Sequence, residues 1–214
     1  MPIITKISEQ KRRGNRRNVF LDGAFAFGCN VNVVAKFRLR EGMELSAERV
    51  GEIQLGEVKQ ECFDEAMKYL EARLHSRAEL QRKLGRREYG AAVIEAVVGD
   101  LTRMGYLDDA RFAQGKAMSA AHHKHHGRRR ALVELAKAGV RGEAAEKAIQ
   151  QVYSEMDSTA IARELALKQV PRLRRLDPTT ARRRLVGMLQ RRGFDYEAIR
   201  PVLDEVLGSL SEPE

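Results

Sequence analysis

One apolar pattern recurs three times along this chain. Leu84, Tyr89, Ile94 and Val98 are followed by Leu135, Val140, Ala145 and Ile149, and then by Leu189, Phe194, Ile199 and Leu203. The offsets are 51 residues and 54 residues. The turns also correspond, as Arg87-Glu88-Tyr89, Ala138-Gly139-Val140 and Arg192-Gly193-Phe194. A short helical unit of this length cannot bury its own apolar face, so each copy has to stack on its neighbours. The pattern therefore predicts a mostly α chain of three tandem helical units. The competing reading of the same residues is a single irregular helical bundle.

The helices can be traced from Ser46 onward, where no strand pattern is found. Phe63, Met67, Leu70 and Leu74 repeat at helical spacing. Ser76-Arg77-Ala78-Glu79 has the form of a capping box, with Leu80 and Leu84 on the apolar face of the helix it starts. Val93, Ile94, Val97, Val98, Leu101 and Met104 mark the next helix. Gly105 stops it, because glycine tolerates the left-handed conformation found just past a helix end. Asp108 or Asp109 then caps the following helix. Tyr106 and Leu107 lie between, where they would pin one unit to the next. Phe112, Ala113 and Met118 carry that helix to a break near Gly127. Leu132 and Leu135 lead to a stop at Gly139, and Ala145, Ala148, Ile149 and Val152 follow. Ile161, Leu165 and Ala166 come next. Asp177-Pro178 is a start signal, with Asp as N-cap and Pro in the first helical position. Leu185 and Leu189 run to Gly193, and Ile199, Leu203, Val206 and Leu207 close the array, with Gly208 as its expected end.

The first part of the chain differs. Val19-Phe20-Leu21-Asp22-Gly23-Ala24-Phe25-Ala26-Phe27 is two short apolar runs around Asp-Gly, a two-residue hairpin signal. The basic stretch Lys11 to Arg17 leads into the first of these runs, and Asn32 to Phe37 suits a short helix. The expected division is a β-hairpin extension over 1–45, a first three-helix repeat with its lead-in helix over 46–108, a second over 109–156 and a third with the tail over 157–214.

Composition narrows the function. The 214 residues carry a formal net charge of +9, with 32% charged and only 6% aromatic residues. A balance this basic favours an anionic partner. No apolar run follows Met1 and none is long enough to cross a bilayer, so a cytoplasmic chain with no membrane partner is expected. Cys29 and Cys62 are the two cysteines and form no CxxC motif, which reads as buried or free thiols in a reducing compartment.

Nothing in the chain has the form of a catalytic or cofactor motif. There is no phosphate-loop glycine signature, no dinucleotide fingerprint, no HExxH and no nucleophile elbow. In His122-His123-Lys124-His125-His126, the outer histidines would share a helix face as two metal ligands would, but no further ligand stands at a recognisable spacing. Lys124 also disfavours a cation, so a solvated, partly protonated surface is the simpler reading. Asp108 and Asp109 are adjacent, and neighbours on a helix diverge by about 100°, so they do not converge on one substrate atom.

What stands above background is the clustering of basic residues. Arg77, Arg82, Lys83, Arg86 and Arg87 fall in the first repeat, and Arg128, Arg129 and Arg130 in the second. Arg172, Arg174, Arg175, Arg182, Arg183, Arg184, Arg191 and Arg192 fall in the third, where residues 172–192 hold the single acid Asp177. All three groups lie on or beside the middle helix of their repeat. A single charge run usually marks a solvated face. Three in equivalent positions suggest instead a basic stripe for phosphate or carboxylate partners.

The motif Ala66-x-x-Tyr69-Leu70-x-x-Arg73-x-x-Ser76-x-x-Glu79-Leu80-x-x-x-Leu84 continues through Val97-x-x-x-Leu101-x-x-x-Gly105-Tyr106-Leu107-Asp108-Asp109-x-x-Phe112-Ala113. Gly127-x-x-x-x-Leu132-x-Glu134-Leu135-x-x-x-Gly139-Val140 follows in the second repeat. From about Phe63 to Leu207 these residues resemble the RecX family, the regulatory partners of the bacterial RecA recombinase. One departure is Arg128, where the family often has proline. The resemblance implies tandem three-helix repeats forming an elongated, curved array. It also implies a non-enzymatic regulator that binds the groove of the RecA–DNA filament and inhibits its ATPase, strand-exchange and coprotease activities. The motif does not fix the contact residues; from their clustering alone, the basic residues are the expected contacts with RecA or DNA. Gly105 to Asp109 with Phe112 are the expected structural joint, and the protein is expected to be a monomer without cofactor. Single- and double-stranded DNA are further candidate partners. The alternatives are a stand-alone nucleic-acid-binding helical array and, more remotely, a metal-dependent nuclease using the histidine tract.

Overall fold

The computed structural model describes the backbone at residues 1–10 and 13–211, and side-chain burial at residues 1–10 and 14–208. Its N-terminal part is a three-stranded antiparallel sheet in the order β1 (Ile4–Gln10), β2 (Arg13–Leu21), β3 (Ala24–Asn30). The expected hairpin is β2–β3. Asp22 and Gly23 both take positive φ, 49° and 85°, as a two-residue turn between right-twisted strands requires. β1 has no counterpart among the expected elements. It lacks clean alternation and meets β2 with register shifts at both ends. The basic stretch leads into the hairpin's first strand as expected, which is β2, and Lys11 and Arg12 lie outside the described residues. Helix α1 (Val31–Phe37) follows β3 and is capped by Asn30, whose side chain accepts from the Asn32 N–H at 2.9 Å.

Helix α2 (Ala47–Ala72) is 26 residues long, about 39 Å at 1.5 Å per residue, and serves two cores. Ile53 joins Ile4, Val19, Cys29, Val33, Leu39 and Leu45 under the sheet. Further along, Cys62 and Ala66 pack with α3 (Arg77–Gly85) and α4 (Ala91–Arg103) through Leu80, Leu84, Val97 and Leu101. α2 ends before Leu74, which is exposed rather than part of the apolar stripe.

The second repeat holds α5 (Asp109–Met118), a π-helical turn (Ser119–His123), α6 (Arg128–Lys137) and α7 (Glu143–Tyr153). Phe112, Leu135, Val140 and Ile149 centre its core. The third holds α8 (Ser158–Leu167), α9 (Val170–Leu173), α10 (Pro178–Arg191) and α11 (Tyr196–Ser211), around Leu185, Leu189, Phe194, Ile199 and Leu203. The predicted caps form. Asp108 accepts from the N–H groups of Ala110 and Arg111 at 2.8 and 3.0 Å, and Asp177 from that of Thr180 at 2.9 Å. Gly208 does not end α11, which runs to Ser211. A mid-helix glycine costs only about 0.5–1 kcal/mol, and burial of Val202, Leu203 and Val206 anchors the helix before that point.

By packing, the chain divides into two compact units. Met1–Leu74 with Leu80–Leu107 form one, and His75–Glu79 with the chain from Asp108 onward form the other. Among the described residues no helix is long and apolar enough to cross a membrane.

The three equivalent turns after α3, α6 and α10 are all left-handed, at Glu88 (φ 63°), Gly139 (φ 85°) and Gly193 (φ 90°). Their sequences differ for a steric reason. In the second unit Ser76 Oγ donates to the Ala138 carbonyl at 2.5 Å, and a Cβ on Gly139 would overlap the Ala78 side chain. Likewise Gly127 N–H donates to the Arg192 carbonyl at 2.8 Å and Arg129 N–H to that of Gly193 at 3.2 Å. A Cβ on Gly193 would overlap the backbone of Arg130. Glu88 is exposed and keeps its side chain. Glycine thus stands at the two turns that another segment approaches.

Candidate functional site

Helix α10 buries Ala181, Leu185 and Leu189. With about 100° between neighbours, Arg182, Arg183 and Arg184 point in three directions. Only Arg184 shares a flank with Met188 and Arg191. Together with Arg172, these side chains line a cleft of about 390 Å³ floored by Leu173 and Leu185. Arg191 and Met188 also line a second cleft of about 860 Å³, whose other cations are Lys124, Arg130 and Arg192 beside His123, His125 and His126, with Leu165 on its floor. The shared residues place the two clefts side by side within the second unit, and together they are called the groove. Among its lining residues there is no Asp or Glu.

The wall carrying Lys124 is built by irregular backbone. The π-helical turn lets Lys124 N–H reach the Ser119 carbonyl at 3.2 Å, and His125 then turns left-handed at φ 49°. Two bonds pin the segment. Tyr153 donates its hydroxyl proton to the His126 carbonyl at 2.7 Å, and Arg192 Nη1 donates to the Lys124 carbonyl at 2.8 Å. Burial, with the charge of Glu134, pushes the Tyr153 phenol up to about 12, so it remains a donor.

Glu134 stands behind this wall. Its carboxylate accepts from Lys124 Nζ at 2.8 Å and lies 3.0 Å from His126 Nδ1 and 4.0 Å from Arg130 Nε. Burial alone would raise its pKa, but the bond and charge of Lys124, with the charges of His126 and Lys116, hold it below the usual range. His126 is shifted down, first by burial and then by Arg192, Lys124 and Arg130, against the attraction of Glu134. Its Nδ1 is buried without a well-aligned hydrogen bond. This corrects the expectation of a solvated, partly protonated side chain at His126 alone, since His122 and His123 are exposed, and it corrects the shared helix face for His122 and His126. The π-turn ends at His123, so His126 lies beyond the helix.

The groove thus gathers Arg130, Arg172, Arg184, Arg191 and Arg192. It does not include the exposed Arg128, Arg129, Arg174, Arg175, Arg182 and Arg183. Arg77 pairs with Asp109, which accepts from its backbone N–H at 2.8 Å and its Nε at 3.0 Å. In the first unit Lys83 sits 4.4 Å from the Tyr69 ring centre and Arg87 pairs with Glu65 at 2.9 Å, while Arg82 and Arg86 are exposed. Gly105 turns at φ 78°, Leu107 packs in the first repeat's own core, Phe112 in the second's, and Tyr106 is 52% exposed. Sequence reasoning missed Lys124 and Glu134, because the π-turn that brings them together has no periodic signature.

Both cysteines are buried, and burial pushes each thiol up to about 11, with Glu57 adding to the effect at Cys29, so neither is a ready nucleophile. Among the described residues no group of three or more His, Cys, Asp or Glu is placed to hold a metal ion.

Three family models match the chain. They describe the RecX N-terminal domain over residues 2–46, the first RecX three-helix domain over 62–101 and the third over 155–203. The regulatory protein RecX of Bacillus subtilis (strain 168) is 32% identical, over 96% of this chain and 78% of its own length. That of Bacillus pumilus (strain SAFR-032) is 31% identical over 99% and 80%. A crystal structure of regulatory protein RecX superposes with a TM-score of 0.84 at 23% identity, covering 95% of this chain and all of that one, which shows a shared fold.

Proposed function

The chain belongs to the RecX family of regulatory proteins, and from that premise we propose that it regulates the RecA recombinase by binding the RecA–DNA filament. Bound there, it suppresses ATPase, strand exchange and coprotease activity, and so modulates DNA repair and the SOS response in the cytoplasm. It acts as a monomer and by occupancy, not by catalysis. The observation that carries this reading is the pair of adjoining cationic clefts of the second unit, with no acid among their lining residues.

Helix physics supports a role in binding. Arg128, Arg129 and Arg130 occupy the first turn of α6, which holds no acid. Cations there oppose the positive end of the helix dipole, where a favourable charge would contribute about 0.3–1 kcal/mol. Their placement weakens the helix slightly, so a partner outside the fold accounts for it better than stability does. Within the second unit, the exposed Arg174, Arg175, Arg182 and Arg183 are further candidate contacts.

The test is RecA ATPase on single-stranded DNA, titrated with this protein. Inhibition at filament-stoichiometric amounts is expected, and its absence would reject the proposal. A stand-alone nucleic-acid binder would instead show DNA affinity that falls steeply with salt and is unchanged by RecA.

A further inference from the structure

The groove is lined by cations and apolar side chains without an acid, yet the partly buried carboxylate of Glu134 lies within 4.0 Å of three of its lining side chains. Glu134 neutralises Lys124 directly and reaches His126 and Arg130, while its own side chain is only 15% exposed. We propose that Glu134 is an internal counter-anion that sets how strongly the groove holds a phosphodiester strand. This rests on the reading of the groove as a contact surface.

A strand is favoured over an acidic protein face by shape. The two clefts adjoin at Arg191 and Met188, with Lys124 and Arg130 lining one and Arg172 the other. Backbone phosphates project from a flexible strand and can enter adjoining clefts in succession. Carboxylates on a folded surface are fixed to a convex body and reach in less deeply. Arginine forks suit phosphate oxygens, and the apolar floor at Leu165 and Met188 leaves room for the sugar edge.

In the free protein Glu134 already serves as an anion for Lys124, Arg130 and His126. An entering phosphate competes with it for the same cations. Two unlike charges a few ångströms apart near a surface interact by several kcal/mol before screening, so a single carboxylate in this position damps the groove appreciably. It also holds Lys124 in place, and the two effects predict opposite outcomes on removal.

The experiment measures binding of a fluorescent oligo(dT) strand by anisotropy across a salt series, with melting temperature as the check on folding. Glu134→Gln is expected to bind about tenfold more tightly at low salt. Its salt dependence should steepen by about 0.7 for the one extra phosphate contact. Glu134→Asp retains the charge and should stay within about twofold of the unmodified protein. Unchanged or weaker binding by a folded Glu134→Gln variant overturns the proposal and makes Glu134 a scaffold for Lys124. If Arg130→Ala with Arg191→Ala leaves oligo(dT) binding unaltered, the groove reading itself fails, whatever Glu134 does. If the protein binds RecA without DNA but not oligo(dT), the groove takes carboxylates and the strand assignment is wrong.

Discussion

Gly193→Ala probes the joint on which the groove depends. Alanine in the left-handed region costs about 1–2 kcal/mol on its own. At Gly193 the added Cβ would also meet the backbone of Arg130, which no rotamer change can relieve. The turn and the first turn of α6 must then separate. That movement breaks the bond from Gly127 N–H to the Arg192 carbonyl at 2.8 Å and from Arg129 N–H to the Gly193 carbonyl at 3.2 Å. Each such bond contributes about 0.5–1.5 kcal/mol, so the expected total loss is about 2–5 kcal/mol. Gly105→Ala is the matched control. Gly105 has φ 78°, but a Cβ there would meet nothing within 4 Å, so only the conformational cost of about 1–2 kcal/mol applies. Urea unfolding followed by circular dichroism gives the comparison through the midpoints. Equal losses for the two variants would refute the joint. Because Arg192 both forms the joint and lines the groove, Gly193→Ala should also weaken oligo(dT) binding where Gly105→Ala does not.

Three further outcomes are expected. Leu135→Ala and Leu84→Ala remove fully buried side chains and should each cost about 2–5 kcal/mol in urea unfolding, with m-values little changed. Asp108→Ala removes a cap that accepts two backbone N–H groups and should cost about 0.5–2 kcal/mol, read as a lower melting temperature. The third concerns pH. His126 has a depressed pKa in the folded chain, caused first by burial and then by Arg192, Lys124 and Arg130. The unfolded chain therefore takes up the proton first. The resulting stability is present above the unfolded value of 6.5 and is lost as pH falls below it. Melting temperature should drop more between neutral and mildly acidic pH for the unmodified protein than for His126→Asn, and parallel curves would count against the assignment.

The helices were legible because their signals are local. Capping residues such as Ser76, Asp108 and Asp177 and the left-handed glycines at 105, 139 and 193 act within a turn of their own position. The repeat was legible because each copy buries the same positions, such as Leu84, Leu135 and Leu189. β1 was not, because its burial comes from pairing with β2 and leaves no clean alternation in its own residues. The groove was legible only in part. Arg130, Arg184 and Arg191 stood out as charge, but charge runs do not say which member faces a neighbour. Arg182, Arg183 and Arg184 form one run in the sequence, and helical geometry separates them. Lys124 and Glu134 come together through a π-helical turn and a left-handed histidine, conformations that no spacing in the sequence announces.

In the proposed mode of binding, one flank of α10, and not arginine content as such, engages the filament. Co-sedimentation with RecA filaments on single-stranded DNA tests it with two variants of equal charge. Arg184→Ala with Arg191→Ala removes two groove residues, and Arg182→Ala with Arg183→Ala removes two outside it. The first pair should lower retention on the filament, and the second should leave it close to that of the unmodified protein. Equal retention by both variants, or a greater loss from the second pair, would contradict this mode of binding.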